Sequence, residues 1–314
     1  MKTGAAFLVM LALAGLAAFA VLRLGPPASD PASARIAPAA NVLAGHPVTL
    51  ALTHALVQGT PHRVAAAWPV GLAWAELGEF ARAPAPGWVA SMRSVSAVVT
   101  LRHAARGDPL YAAARAHAPR VVEIDASVDA DRATPVVRLR PEDTGPGFAL
   151  GPANAMRLAE RIASDLSALH PAEAPRFAAT LRALKERLLR LKAAHDAAFA
   201  GVAAPEVAAA TEAFDALCAE FGVQVVARLA SDAAGWSAAE RERQLAALRG
   251  AGVRVSVHAA PPGPELAAVL RDAGVEPVVL DPLTRSVDDP EAAFRVLESN
   301  LVALRTALER AADR

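Results

Sequence analysis

The strongest constraint on the fold is a regular alternation of short apolar runs and helical patterns that stops in the middle of the chain. From Pro152 to about Phe199 the sequence has no strand signals, whereas both kinds of pattern alternate on either side. Such alternation is typical of a mainly parallel sheet with helices on its faces. We therefore predict an α/β protein with two lobes, each with a mainly parallel sheet flanked by helices, joined by a long backbone helix.

The interruption also predicts the domain boundaries. We expect an N-terminal α/β lobe over residues 46–171, a long connecting helix over 172–200 and a C-terminal α/β lobe over 201–314. Apolar residues recur along the long helix at three- and four-residue intervals, at Phe177, Leu181, Leu184, Leu188 and Leu191. This spacing is typical of an amphipathic helix. At the standard rise the helix would be about 43 Å long and would run beside both lobes.

Apolar runs predict the individual strands. The folded part is expected to begin near His46 with the strand HPVTLAL and the helix THALVQG. Further strands are expected at HRVAAAW, VSAVVTL (95–101), RVVEID (120–125) and TPVVRL (134–139), and in the second lobe at VQVVARL, VRVSVH and EPVVLD.

The N-terminus predicts export. Lys2 precedes an unbroken apolar run over residues 5–22, and Arg23 follows it. This layout is typical of a signal peptide, but the run is also close to the ~20 residues that span a bilayer. Residues 1–24 are therefore predicted to be either a signal peptide or an N-terminal membrane anchor, and 25–45 a Pro- and Ala-rich linker. In both cases the remainder is expected in the periplasm or outside the cell, secreted or anchored.

Composition excludes several function classes. Lys and Arg together number 32, as do Asp and Glu, so the net charge of zero argues against nucleic acid as a partner. Cys218 is the single cysteine, which excludes an intrachain disulfide and a zinc site built from cysteines. The sequence has no nucleophile elbow, phosphate-binding loop, dinucleotide fingerprint or zinc-protease motif, so we do not expect an enzyme.

Several sequence segments, taken in their order along the chain, resemble those of a known protein family. They are VSAVVTLRHAARGDPLYAAARAHAPRVVEIDAS, GFALGPANAMRLAERIASDLSALHPAEAPRFAATLRAL, TEAFDALCAEFGV and LESNLVALRTAL. Together they are similar to the substrate-binding proteins of bacterial zinc and manganese ABC importers, the ZnuA/TroA-like group. The resemblance covers residues 47 to 311. It implies capture of a metal ion between two lobes, followed by docking on an ABC permease in the cytoplasmic membrane.

The same resemblance implies convergent His, Glu or Asp ligands, and their expected positions hold none in this chain. The first position is occupied by Trp74 or a neighbour in PVGLAWAEL, the second by Gly147, the third by Thr211 and the fourth by Ala259. Holding such an ion takes three or four N or O donors at about 2.0–2.2 Å. We therefore expect a divergent member without the usual metal ligands. The cofactor is unknown: it is Zn or Mn by family resemblance only.

Two residues beside these positions are the candidates for shifted ligands. Glu212 adjoins the third position, but we expect it in the first turn of a helix, where a carboxylate complements the helix dipole. His258 adjoins the fourth position at the end of a strand, where neighbouring side chains point to opposite faces. We therefore expect it to turn away from the cleft. Trp74 and Phe148 are expected on loops of the ligand cleft. There they either fill the space left by a lost ion, which is the interpretation we favour, or stack on an organic ligand.

The other histidines do not predict a metal site. His46, His54 and His62 are spaced by eight residues, which fits neither one helix face nor a hairpin pair. His170 precedes Pro171 and is expected only to cap its helix.

These observations favour an extracytoplasmic substrate-binding component, or a degenerate homologue of one, in a transition-metal ABC importer. We expect it to capture its ligand between the lobes and to act as a monomer. The alternative is a tethered periplasmic scaffold without a transport role, or a binder of an organic ligand or metal chelate.

Overall fold

Two four-stranded parallel sheets form the two lobes. The computed structural model describes residues 40–105, 107–128, 146–203, 205–230 and 236–313. The predicted export or anchor segment, residues 1–24, and the predicted strand 134–139 lie outside these ranges. Among the helices of the described ranges, none combines the length and apolar character needed to cross a bilayer.

The N-terminal lobe has the strand order β2-β1-β3-β4. Its elements are β1 (Val42–Ala44), α1 (Pro47–Leu56), β2 (Val64–Ala66), a short 3-10 turn (Trp74–Glu76), α2 (Leu77–Arg82), α3 (Pro86–Met92), β3 (Ala97–Thr100), α4 (Leu110–His117) and β4 (Val122–Asp125). Strands β2, β3 and β4 lie within the predicted apolar runs.

The connecting helices and the C-terminal lobe follow. A 3-10 turn (Pro146–Leu150) leads into α5 (Pro152–Leu169), and a second 3-10 turn (Pro171–Glu173) leads into α6 (Ala174–Phe199). The C-terminal lobe contains β5 (Glu206–Ala209), α7 (Asp215–Glu220), β6 (Gln224–Arg228), α8 (Ala238–Ala251), β7 (Val255–His258), α9 (Pro264–Ala273), β8 (Glu276–Val279) and α10 (Ala292–Ala312). Its order, β6-β5-β7-β8, repeats the order of the first sheet. The predicted two-lobed α/β fold is confirmed.

The prediction for the first strand was wrong. HPVTLAL is the start of helix α1, and the strand that precedes it, β1, lies within the segment predicted as a linker. His46 caps the helix, since its Nδ1 accepts from Val48 N–H at 3.2 Å and its own N–H donates to Thr49 Oγ1 at 3.1 Å. Pro47 at the first helical position favours a helix start. Because α1 is buried along almost its whole length, its sequence lacks a polar face and resembles a buried strand.

The apolar core is continuous between the lobes. One cluster of buried side chains includes residues of both sheets and of helices α1, α5, α6 and α10, for example Val42, Leu52, Leu188, Val257 and Leu301. Two smaller clusters cover the outer faces of the sheets, one around Trp68 and Trp88 and the other around Trp236 and Leu248. The central helices therefore join the lobes through packing as well as through the chain.

Helix α6 is the long connecting helix expected from the sequence. Its 26 residues correspond to a length of about 39 Å. Thr180 Oγ1 donates to the Leu56 carbonyl of the N-terminal lobe at 2.8 Å, and Arg187 Nη2 donates to Glu291 of the C-terminal lobe at 2.7 Å. The helix is thus tied to both lobes by its side chains.

Two adjacent leucines of α6 test the predicted amphipathic pattern. Leu188 is fully buried in the shared core, whereas Leu189 is 50% exposed. We expect Leu188→Ala to lower the free energy of unfolding by about 2–5 kcal/mol, because it leaves a cavity in the core. The matched control Leu189→Ala should change it by less than about 0.5 kcal/mol. Urea unfolding followed by circular dichroism measures both, and equal losses would contradict the assigned faces.

Candidate functional site

Loops of both lobes meet in the cleft between them. In open α/β sheets, ligands bind beyond the carboxyl ends of the strands. Here the loop after β2 and the turn before α5 face loops that follow β5 and β8 in the second lobe, as the contacts below show. These loops and turns carry the residue positions expected to ligate a metal.

At Gly147 the two lobes touch backbone to backbone. A Cβ atom placed on Gly147 would lie 2.8 Å from Cα of Ala213 and 2.9 Å from its carbonyl carbon. Carbon atoms that are not bonded to each other prefer about 3.5–4.0 Å, so only glycine fits here. The next residue, Phe148, is buried in the shared core. The second expected ligand position therefore has no room for an imidazole or an ion.

The third expected position lies in the turn that contacts Gly147. Thr211 is half-buried, and its Oγ1 accepts from Ala213 N–H at 3.2 Å. Glu212 is exposed and precedes α7, which begins at Asp215. The expectation that Glu212 lies in the first helical turn was therefore wrong, because the chain makes a turn before the helix starts.

The fourth expected position lies at the end of β7. His258 is the last residue of this strand and is 2% exposed. Its Nε2 lies 2.9 Å from Oγ of Ser256, which is fully buried on the same strand. Ala259 is exposed. The imidazole of His258 is therefore held within its own lobe by the residue two positions before it.

Trp74 packs against a buried histidine that the sequence did not indicate as part of the cleft. The ring centroids of Trp74 and His46 are 5.7 Å apart, with the rings nearly perpendicular. His46 is 2% exposed. Burial lowers the pKa of His46 to about 3, although the nearby Leu283 carbonyl opposes this shift. His46 is therefore neutral at physiological pH.

A set of backbone hydrogen bonds holds the cleft closed at this end. Gly71 N–H donates to the Ser286 carbonyl at 2.8 Å, and Ser286 N–H donates to the Leu72 carbonyl at 2.9 Å. Trp74 N–H donates to the Thr284 carbonyl at 2.7 Å. We call this pairing of residues 71–74 with residues 284–286 the interlobe clasp. Side chains reinforce it, since Ser286 Oγ donates to the Trp68 carbonyl at 3.0 Å.

Little space remains beneath the interlobe clasp. The cavity lined by Trp74, Leu283 and their neighbours has a volume of about 10 Å³, close to the minimum that one water molecule needs. Leu283 is 3% exposed and has a φ of 51°, a left-handed conformation that is unusual for leucine. At this end, the described side chains and backbone thus fill most of the space between the lobes.

The structure brings some of the predicted residues together and separates others. Gly147 meets the turn that contains Thr211 and Glu212, whereas Trp74 belongs to the interlobe clasp and His258 to the interior of its lobe. Sequence reasoning missed the clasp and His46. Correct placement of β1 would have put His46 at the carboxyl end of a strand, where cleft residues are expected.

Comparison with known proteins identifies the class. The fold is that of a two-lobed binding protein, and the sequence model of the ZnuA family, described as zinc-uptake complex component A, periplasmic, matches residues 89–307. The chain belongs to this family. No curated protein is similar enough in sequence to count as a match.

Solved structures of similar fold come from several bacteria. A mutant of FpvC from Pseudomonas aeruginosa has a TM-score of 0.70 and 21% identity, covering 86% of this chain and 99% of its own. FpvC in complex with Ni²⁺ has a TM-score of 0.67 and 20% identity, covering 86% and 97%. The Zn(II)-bound ZnuA-like domain of Streptococcus pneumoniae AdcA has a TM-score of 0.66 and 21% identity, covering 88% and 99%.

The close approach at Gly147 predicts a position-specific loss of stability. We expect Gly147→Ala to lower the free energy of unfolding by about 1–3 kcal/mol, because the added methyl group forces the turns apart. Gly250→Ala is the matched control: Gly250 lies within helix α8 with open space around it, so alanine should stabilise the protein by about 0.5–1 kcal/mol. Chemical unfolding of both variants measures the difference. A neutral effect of Gly147→Ala would contradict the contact.

The buried His46 predicts sensitivity to acid. Its pKa is about 3 in the folded protein and 6.5 in an exposed state. As the pH falls from 6.5 toward 3, the unfolded chain therefore takes up a proton that the folded chain does not, and stability falls. Asparagine is also a good helix cap but does not titrate. Between pH 7 and pH 4.5 the free energy of unfolding should fall in both the unaltered protein and His46→Asn. We expect the fall to be smaller in His46→Asn by about 2–3 kcal/mol. Identical pH profiles in urea unfolding would contradict this assignment.

Proposed function

We propose that this chain is an extracytoplasmic binding component of a transition-metal uptake system and docks on an ABC permease with its lobes already closed. Membership of the ZnuA family, described as a zinc-uptake complex component, supports a place in metal uptake. The Ni²⁺ and Zn(II) complexes of the similar FpvC and AdcA structures support transition metals as the class of ion that this uptake system transports. We also propose that residues 1–24 direct the chain out of the cytoplasm, as a signal peptide or as an anchor.

The contact between Gly147 and Ala213 is the observation that carries this proposal. A cargo ion between two lobes needs donor atoms from both sides around an open centre. Here the backbones meet at the second expected position and beside the third, and the four expected positions supply no ligand. We therefore infer that Zn²⁺ and Mn²⁺ are not held at the family's usual position, and that Glu212 and His258 are not shifted ligands.

The interlobe clasp explains how the two lobes can stay closed without a bound ion. A cargo ion can favour a closed state only by binding it more tightly than the open state. In this chain, backbone hydrogen bonds between residues 71–74 and 284–286 favour closure without an ion. Helix α6 contacts both lobes, so their relative motion is limited to small rocking rather than a wide hinge opening. A permease would then meet the same closed surface whether or not cargo is present.

The closed cleft also favours a second candidate, a tethered periplasmic scaffold with no transport role. The space beneath the clasp does not suit an organic ligand or chelate, because small-molecule sites usually occupy about 300–1,000 Å³. The space beneath the clasp, about 10 Å³, is far smaller.

A complementation experiment tests the proposed function. We expect deletion of the gene to lower the cellular zinc or manganese content under metal limitation, measured by mass spectrometry. The unaltered gene and a Glu212→Gln/His258→Gln double variant should restore it equally, because neither side chain holds cargo. The double variant keeps the polar character of both positions, and immunoblotting checks that it accumulates normally.

The outcomes separate the alternatives. Unchanged metal content in the deletion strain would contradict the transport role and favour the scaffold. Failure of a normally accumulated double variant to restore uptake would instead contradict the proposal that the cleft holds no cargo.

A further inference from the structure

A cluster of metal-binding side chains lies away from the cleft, where α5 ends and α6 begins. It consists of His62, which precedes β2, His170, which follows α5, and Glu173 in the next 3-10 turn. One donor atom from each residue lies within 4.8 Å of the others, and all three side chains are half-buried. Helix α5 has 18 residues and a length of about 27 Å, so its two ends are well separated. The cluster adjoins its last turn, whereas the closed cleft adjoins its first.

The two imidazoles are arranged as a pair. The ring centroids of His62 and His170 are 3.9 Å apart, and the rings are inclined by 36°. In each ring Nε2 is buried and has no hydrogen-bond partner within the described part of the chain. A buried polar atom without a partner costs about 1–3 kcal/mol. The two rings are neighbours, and the carboxylate of Glu173 lies close enough to complete a set of three metal-binding side chains.

The surroundings hold these side chains in place. Phe177 stacks on His62 with a centroid distance of 6.1 Å. Arg176 Nε donates to the Gln58 carbonyl at 2.9 Å, and this bond fixes the loop before His62 against the start of α6. His170 and Glu173 are connected by a backbone hydrogen bond, since Glu173 N–H donates to the His170 carbonyl at 3.1 Å. A site built on such fixed elements needs only small side-chain movements to bind an ion.

We propose that His62, His170 and Glu173 bind a divalent transition-metal ion of the zinc class, separate from the family's cleft site. Two imidazoles and one carboxylate are ligands that zinc takes, with bonds of about 2.0–2.2 Å and a water molecule in the fourth position. Tetrahedral bonds of that length place donors about 3.4 Å apart. The three donor atoms therefore need to draw together by little more than 1 Å from their separation of up to 4.8 Å. The ion would be resident rather than cargo, and it would tie the start of β2 to the corner between α5 and α6.

Asn41 forms a hydrogen bond with His62, and this contact allows a more specific test of the proposal. Its Nδ2 donates to Nδ1 of His62 at 3.0 Å, while its Oδ1 accepts from Arg63 N–H at 2.9 Å. A histidine that binds metal through Nε2 keeps its proton on Nδ1 and donates it to an acceptor. An aspartate at position 41 would offer one oxygen to Nδ1–H and the other to Arg63 N–H. Asn41→Asp should therefore improve metal binding, although it does not contribute a ligand.

Titration of the purified full chain with Zn²⁺, followed by calorimetry, tests the site. We expect one equivalent to bind with a dissociation constant in the micromolar range or below. His62→Gln, His170→Gln and Glu173→Gln should each weaken binding by about tenfold or more, and Asn41→Asp should strengthen it by about tenfold. The matched control His54→Gln removes a histidine of the same lobe that is likewise half-buried but lies outside the cluster, and it should leave the dissociation constant unchanged. Circular dichroism checks the fold of each variant.

Absence of binding by the unaltered chain would overturn the proposal. So would undiminished binding by folded His62→Gln and His170→Gln variants. If the histidine variants do not fold, Glu173→Gln and Asn41→Asp decide, and unchanged affinity in both would overturn it. A loss of affinity in Glu212→Gln/His258→Gln but not in the His62 and His170 variants would place the ion in the cleft. That result would also contradict the proposed function, whereas the complementation experiment tests that function independently of this site.

Discussion

The arrangement of the two lobes depends on one close backbone contact, between Gly147 and Ala213. Because glycine has no Cβ, the turn before α5 can lie directly on the turn before α7. Phe148 then enters the shared core, and the loops of the two lobes come within reach of each other. A larger residue at Gly147 would separate the turns and create the kind of space in which a ligand binds. One missing side chain therefore allows the close approach of these two turns.

Hydrogen bonds join the two lobes of this chain, whereas in other two-lobed binding proteins a bound ion can join them. The interlobe clasp links residues that are distant in sequence, and its donors and acceptors are mostly backbone groups. Such bonds do not depend on particular side chains, so this closure tolerates sequence change better than a set of metal ligands would. If the proposed His62–His170–Glu173 site holds an ion, metal chemistry contributes to the stability of the N-terminal lobe rather than to capture between the lobes.

The sequence predicted the features that depend on local patterns. The long helix α6 follows from apolar residues at helical spacing, and β3 and β7 follow from runs of β-branched residues. Strand β5 was not predicted, because its run PEVAAA is short and rich in alanine, which has little strand preference. Family resemblance located Gly147 as a position without a ligand, but no local pattern could show that it touches Ala213. Nor could sequence spacing show that His62 and His170 are neighbours, because tertiary packing alone brings them together.

The left-handed backbone of Leu283 has a consequence for how firmly the lobes are joined. A leucine in this conformation costs about 1–2 kcal/mol relative to an ordinary one, and its N–H donates to Asp281 Oδ1 at 2.8 Å within the same loop. Residues 284–286 of the interlobe clasp follow Leu283 directly, so the clasp forms with this cost included. The free energy that favours the closed form over an open one is therefore smaller than its hydrogen bonds alone would provide.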